Sequence, residues 1–255
     1  MRVLKVVLEG TTTSFRYPHF MLSVQPSFPL PPPATIYGHI CSTVGEWVDP
    51  EGLQFAYHFT SAGAGEDVEH IHVLSAATGK LPGTKLPKVL EGNVNPFSRQ
   101  VLLHPRLVLY LNRPEWLDAF RAPRYPVLLG RSQDLACYTS IDVIDLEARQ
   151  EVYFEHTLLP YHIAVQTAVG VVTLMPRWLD YWNNRQPTFA RYLLLQQRVL
   201  SSKFMQFGAS QSPTYWADPS APQVKGLPLG LWFHTFTGAG HEALDLARVD
   251  GADQG

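Results

Sequence analysis

The chain has 255 residues, 45% of them hydrophobic and 16% charged, with a net charge of −2, so it is long enough for a substantial core and is not basic overall. Its two cysteines, Cys41 and Cys137, exclude a disulfide framework and a cysteine zinc site, and predict a reducing compartment. No segment approaches the length of a membrane span, and the opening MRVLKVVLEG is broken by Lys5 and Glu9, which predicts a cytoplasmic protein without a signal peptide.

Residues 2–9 alternate as a strand. The prolines Pro29, Pro31, Pro32 and Pro33 make a stiff approach that cannot be helix interior. After them Ile36, Tyr37, Ile40, Cys41, Val44, Trp47 and Val48 fall at helical spacing, so a helix over 33–48 is predicted, with a proline at its first position. Residues 53–60 are rich in strand formers. Residues 76–105 read as an irregular insert punctuated by Gly79, Pro82, Gly83, Pro87, Gly92 and Pro96. A strand over 106–111, a short helix over 114–120 and a strand over 137–146 follow. The resulting order is β-α-β-(insert)-β-α-β, an α+β arrangement of the ferredoxin-like or RNA-recognition-motif-like kind.

Beyond this, 151–154, 163–174 and 227–236 read as strands, 176–183 as a short helix, and 192–200 as either. The predicted division is a first domain over 1–147 and a smaller β-rich part over 148–255 packed on it. The acidic residues after about 241 are expected to fray.

The search for catalytic motifs is mostly negative. GASQS at 208–212 lacks the last glycine of a nucleophile elbow, and AGAGED around Gly63 and Gly65 lacks both a third glycine and a Walker lysine. His70 and His72 share a strand face without a further ligand pair, so solvent-facing histidines are the better reading than a metal site. Asp142 and Asp145 do not share a strand face. No metal and no cofactor are expected.

Charge is unevenly distributed. Between Lys80 and Arg131 lie Lys80, Lys85, Lys88, Arg99, Arg106, Arg113, Arg121, Arg124 and Arg131 against Glu91, Glu115 and Asp118, a segment of +6 in a chain of −2. That asymmetry predicts a local polyanion-binding region on an otherwise acidic body.

Three motifs in order carry a resemblance. The first is SFRYP at 14–18, after the opening strand. The second is FPLPPPATIYGHI at 28–40, with Thr35 and Gly38 behind the prolines. The third is YPVLLGRSQDLA at 125–136, with LGRS at 129–132. Together they resemble the Cas-five family, a subunit of the type I CRISPR effector complex called Cascade, with a spacing most similar to type I-B. The resemblance covers about the first 146 residues well and runs more loosely through YWADP and GLWFHTF.

The resemblance implies a non-catalytic subunit that binds the 5′ handle of the CRISPR RNA (crRNA), caps the filament of backbone subunits and docks the large subunit, reaching target DNA through the complex. It also implies a β-hairpin thumb between the second and third strands, here about 74–104. Aromatic and arginine planes suit splayed RNA bases, and helix N–H groups suit phosphate. The RNA-binding candidates are therefore Phe15, Arg16, Tyr17, Thr35, Tyr37, Gly38, His39, Lys80, Lys85, Lys88, Arg99, Gly130, Arg131, Ser132 and Gln133. The alternative is a metal-independent endoribonuclease processing precursor RNA, with Tyr37, His39, His104 and Lys88 as its groups. The processing branch uses a Tyr, a Lys and an adjacent His, and this chain has no Lys-His pair. No membrane partner is expected.

Overall fold

The computed structural model describes residues 1–20, 24–164, 169–204 and 214–238. The GASQS segment and the tail after 241 lie outside the described residues. The chain is α+β, rich in sheet with few and short helices. Strand β1 (Arg2–Gly10), helix α1 (Pro33–Val44) and strand β2 (Gln54–Thr60) come first. Strands β3 (Gly63–Ala76) and β4 (Leu90–Leu103) form a long hairpin. Strand β5 (Arg106–Leu111), helix α2 (Leu117–Arg121, behind a 3-10 turn at Pro114–Trp116) and strand β6 (Ala136–Asp145) follow.

In the first sheet β2, β5, β1 and β6 lie side by side, each antiparallel to its neighbour. The cross-strand register explains why β1 is apolar on both sides. Leu4, Val6 and Leu8 stand on one face with Phe55, Tyr57, Phe59, Leu107, Leu109 and Leu111, beneath Ile36, Tyr37 and Ile40 of α1 and Phe120 of α2. Val3 and Val7 stand on the other with Ala56, Val108 and Tyr110, against Tyr153, Leu229 and Leu231. A strand covered on both faces loses the apolar–polar alternation of a half-exposed one.

Helix α1 is shorter than its spacing predicted. Gly45 adopts a left-handed φ of +96° and its N–H bonds the Cys41 carbonyl, a C-terminal stop that leaves Trp47 and Val48 outside the helix. At the start, Pro33 lacks a donor and the Thr35 and Ile36 N–H groups both donate to the Pro32 carbonyl (2.9 and 3.2 Å), so these early N–H groups are engaged within the chain.

The insert is not irregular. β3 and β4 pair without a break from Gly63 with Leu103 to Ala76 with Leu90, beginning well ahead of residue 74. At strand spacing the ribbon is roughly 45 Å long. Its root is held laterally by Thr12–Thr13 and Val24–Gln25, both paired to β4.

The C-terminal part contributes two more sheets. Strands β7 (Glu147–Arg149), β8 (Tyr153–Phe154), β12 (Val199–Leu200), β13 (Tyr215–Asp218) and β14 (Leu229–Leu231) make one, in the order β12-β8-β14-β13-β7. Strands β9 (Thr157–Pro160), β10 (Val171–Asp180) and β11 (Gln186–Leu195) make the other, with a one-turn helix α3 at Tyr161–Ala164. The helix expected over 176–183 is therefore strand and turn. Pro176 is accommodated where the register shifts between Pro176 and Trp178. Strand β15 (His234–Thr235) returns to pair with β2 at the edge of the first sheet. Buried Arg177 fixes this return by donating to the Thr235, Thr237 and Gly238 carbonyls and the Thr235 hydroxyl at 2.7–3.0 Å.

One polar cluster joins the first sheet to the second. Asp218 is fully buried and accepts from Lys5 Nζ (2.6 Å), Tyr110 Oη (2.7 Å) and Ser220. Burial alone would raise its pKa, but the bonds from Lys5, Ser220 and Tyr110 win and hold it below the usual carboxylate range. A depressed folded pKa stabilises above the unfolded value and is lost as pH falls through the folded one. Asp218→Ala is expected to cost about 3–5 kcal/mol by leaving Lys5 unpaired at the sheet junction. Asp218→Asn should also flatten the loss of stability below about pH 4, read as urea midpoints across pH. An acid limb identical to wild type would contradict this assignment.

Candidate nucleic-acid interface

The LGRS element sits at the junction of β1, the hairpin root and β6. Gly130 has φ +93°, and a Cβ there would lie 2.6 Å from Thr13 Oγ1 and 2.7 Å from the Ser14 carbonyl, so only glycine fits. The turn presents Arg131 inward to three carboxylates. Its Nε and Nη2 bond Asp134 (2.9 and 2.8 Å), and its Nη1 bonds Asp67 (3.0 Å) and Glu69 (2.7 Å). The bonds to Asp134 lead in pushing the guanidinium pKa up, over the opposing effect of burial. Asp134 is held low by Arg131 and Thr12 against its burial. Gln133 reaches Glu69 at 3.3 Å, and Ser132 is exposed.

Arg99 lies beside the same Glu69 at 2.8 Å and is itself buried. Thus Arg131 and Arg99 fasten a loop and the hairpin root to one another.

Several other candidates are also taken up within the fold. Phe15 is buried edge-on to Phe59 at 5.5 Å. Tyr17 is half-buried and stacked on Phe28 at 3.6 Å. Arg16 is exposed and bridges to Ser27 through the backbone. Tyr37 is buried and donates its hydroxyl to the Val48 carbonyl, and burial pushes its pKa up.

His39 is buried with Nδ1 2.9 Å from the Leu128 carbonyl and Nε2 2.8 Å from Tyr138 Oη. A carbonyl partner requires the proton on Nδ1, so Tyr138 donates to Nε2. Burial lowers the pKa of His39 to about 4, keeping it neutral near pH 7. Thr35 is half-buried on the first turn.

Gly38 is different. It lies on the exposed face of α1, and a Cβ there would meet nothing within 4 Å. Close helix–sheet packing therefore does not explain this glycine.

The basic segment divides into anchored and free charges. Arg106 pairs with Glu9 (3.0 Å), Arg113 approaches Glu115 (3.9 Å) and Arg121 approaches Asp118 (4.0 Å). On the hairpin, Lys80 and Lys85 are exposed, and Lys88 pairs with Glu91 at 2.7 Å. The distal ribbon also exposes Ile71, Val73, Leu74, Leu86, Val89 and Leu90 by 46–71%. His70 and His72 are exposed with ring centroids 6.5 Å apart, and no group of metal-ligating side chains occurs among the described residues.

A cleft of about 740 Å3 opens between the first and second sheets, lined by Lys5, His58, Arg106, Tyr110, Glu155 and Arg198 among others. Its cations are held by carboxylates: Lys5 by Asp218, Arg106 by Glu9 and Arg198 by Glu155. Burial, aided by His156, pushes His58 down to about 4.

No family model and no curated protein matches the chain. Among solved structures it is similar to one described as a CRISPR RNA-guided surveillance complex, at 16% identity and a TM-score of 0.49, covering 81% of this chain and 94% of that one. A CRISPR protein from Archaeoglobus fulgidus matches at 9% identity and 0.45, covering 91% and 99%. A chain of the Type III-B Cmr-beta complex bound to cognate target RNA matches at 12% and 0.44, covering 79% and 87%. No described helix is long and apolar enough to cross a membrane.

Arg131 is expected to act on stability rather than on ligand affinity. Arg131→Ala strands the buried Asp134 and unties the hairpin root, at a cost of about 3–5 kcal/mol. Affinity for RNA, measured on the folded fraction, should not change. A variant that melts like wild type but loses RNA would reverse this assignment.

Proposed function

We propose that this chain is a non-catalytic, RNA-binding subunit of a CRISPR effector complex of the type I Cascade kind. In this reading it binds the 5′ handle of the CRISPR RNA, caps the backbone filament and docks the large subunit. The observation that carries the reading is the long hairpin between β2 and β5, with exposed apolar flanks and Lys80, Lys85 and Lys88 towards its tip. A two-stranded ribbon in water is at best marginally stable by itself, and apolar patches of this extent mark contact surfaces.

The motif resemblance implies a thumb at this point of a ferredoxin-like sheet, between a backbone subunit and the RNA. The tip lysines are then phosphate contacts that position the RNA without reading its bases. Supporting the absence of chemistry, Tyr37 and His39 are buried with partners of their own, and a general base needs hydrogen-bond reach to the ribose hydroxyl.

The test is recovery of the complex with its RNA, followed by sequencing of that RNA, which should be intact guide carrying the repeat-derived handle. Single-strand phosphate contacts each contribute roughly −0.7 to the slope of log affinity against log salt. Changing Lys80, Lys85 and Lys88 together to Ala should therefore reduce that slope by up to about 2 and impair joining to the backbone subunit. An unchanged slope with normal assembly would sink the role given to the hairpin. Specific cleavage of repeat RNA by the isolated chain would instead promote the nuclease.

A further inference from the structure

Gly38 is an anomaly on physical grounds. A glycine inside a helix costs roughly 0.5–1 kcal/mol relative to alanine. Here the fold gains nothing in return, because the Cβ position is open. The absence of a side chain suits something outside the fold that approaches α1 closely.

The surroundings indicate what that is. Gly38 and Ser42 lie along a groove of about 310 Å3 whose other lining residues include Gly45, Glu46, Trp47 and Tyr125. Trp47 is 41% exposed and Tyr125 53%. Tyr181, from the turn after β10, stacks on the Trp47 indole at 4.1 Å and 19°, and Trp182 stands edge-on to Tyr181 at 5.9 Å. The indole is therefore backed and pre-positioned. The helix first expected over 176–183 would not have indicated this contact.

Arg124 flanks the groove, next to its lining residues Gly45 and Tyr125. Its N–H donates to the Thr43 carbonyl (2.9 Å), and its stem crosses Gly45 so closely that a Cβ there would sit 2.5 Å from Arg124 Cγ. Its guanidinium lies 5.8 Å from the Tyr125 ring centre, and no carboxylate among the described residues pairs with it. Arg99, Arg106 and Arg131, by contrast, all do have such partners.

We propose that this groove is a binding site for one nucleotide of a single strand: a base lies over Gly38 against Trp47 and Tyr125, and its phosphate meets Arg124. Aromatic faces stack any base, and a guanidinium meets phosphate strongly. Glu46 at the rim accepts from an exocyclic amino group, which favours adenine, cytosine or guanine over uracil. The volume is at the lower end of ligand pockets, as one base requires. The proposal rests on the RNA-binding reading and shares Gly38 with it, but adds Trp47, Arg124, Tyr125 and Glu46, which that reading did not use.

The test is fluorescence anisotropy of the whole chain with labelled oligoadenylate and with an abasic ribose-phosphate oligomer of equal length. Wild type should bind oligoadenylate more tightly. Trp47→Leu and Tyr125→Leu should each weaken oligoadenylate by about 5- to 150-fold and leave the abasic oligomer unchanged. Gly38→Ala separates folding from binding: it should melt no lower than wild type and still weaken oligoadenylate.

If wild type binds RNA and all three variants bind oligoadenylate equally well, the groove proposal falls and the RNA-binding reading stands. If wild type binds no RNA, alone or assembled, both fall. If Trp47→Leu keeps its RNA affinity but releases a protein from the assembled complex, the groove is a protein-docking surface and the proposal is overturned.

Discussion

Lys5 is the one charge in the interior of a strand that is otherwise apolar on both faces. Its ammonium meets a carboxylate with no exposure of its own, on a strand more than two hundred residues away in sequence. Neither charge could be left there alone without a large desolvation cost. The pair therefore specifies how the second sheet sits on the first: any sliding of β13 past β1 would strand Asp218. The packing of Tyr153, Leu229 and Leu231 on Val3, Val7 and Tyr110 and the cleft between the two sheets depend on that seating. Tyr110 and Ser220 fill further acceptor positions on the same carboxylate, so the cluster is satisfied from both sheets.

A similar economy governs the arginines. Most of the basic residues that make one stretch of the sequence look like a polyanion site serve the fold instead. Arg131 and Arg99 neutralise carboxylates of the hairpin root, and Arg106 ties β5 to β1. What remains for a ligand is set apart geometrically: lysines far out on the ribbon, and Arg124 beside α1. A count of charges along the chain cannot make this distinction, because it depends on which side chains meet after folding.

That also explains how much was legible beforehand. The strand formers at residues 2–9, the run RLVLYL and the proline entry to α1 are local signals, and each marks a real element, although β1 is apolar on both faces rather than alternating. The end of α1 was misplaced because apolar spacing continued through Trp47 and Val48, whereas Gly45 had already stopped the helix. β3 was legible only in part, as a solvent-facing strand around His70 and His72; its full extent was not legible because GAGEDVEHIH has glycines, acids and histidines where a buried strand would have apolar residues, and it pairs along its length while much of it remains exposed. The partners of Arg131 at Asp67 and Glu69 lie more than sixty residues away, so the clasp could not be read from LGRS alone. Gly38 was legible as an unusual helix residue. Whether packing or an outside ligand explained it depended on the space around it.

The return of β15 to the first sheet has a consequence for the order in which the molecule is made. The outer edge of β2 is covered by His234 and Thr235 at one end, and near the other the Phe59 N–H donates to the His156 carbonyl (2.8 Å). Synthesis at about 5–20 residues per second brings β2 out of the ribosome roughly ten to thirty seconds before Thr235 exists. Throughout that interval one edge of the central sheet has unmet backbone donors and acceptors, the kind of surface on which strands from other chains pair. The covering element follows the strand it covers by about 175 residues, so this edge of the newborn chain stays adhesive until Thr235 has emerged.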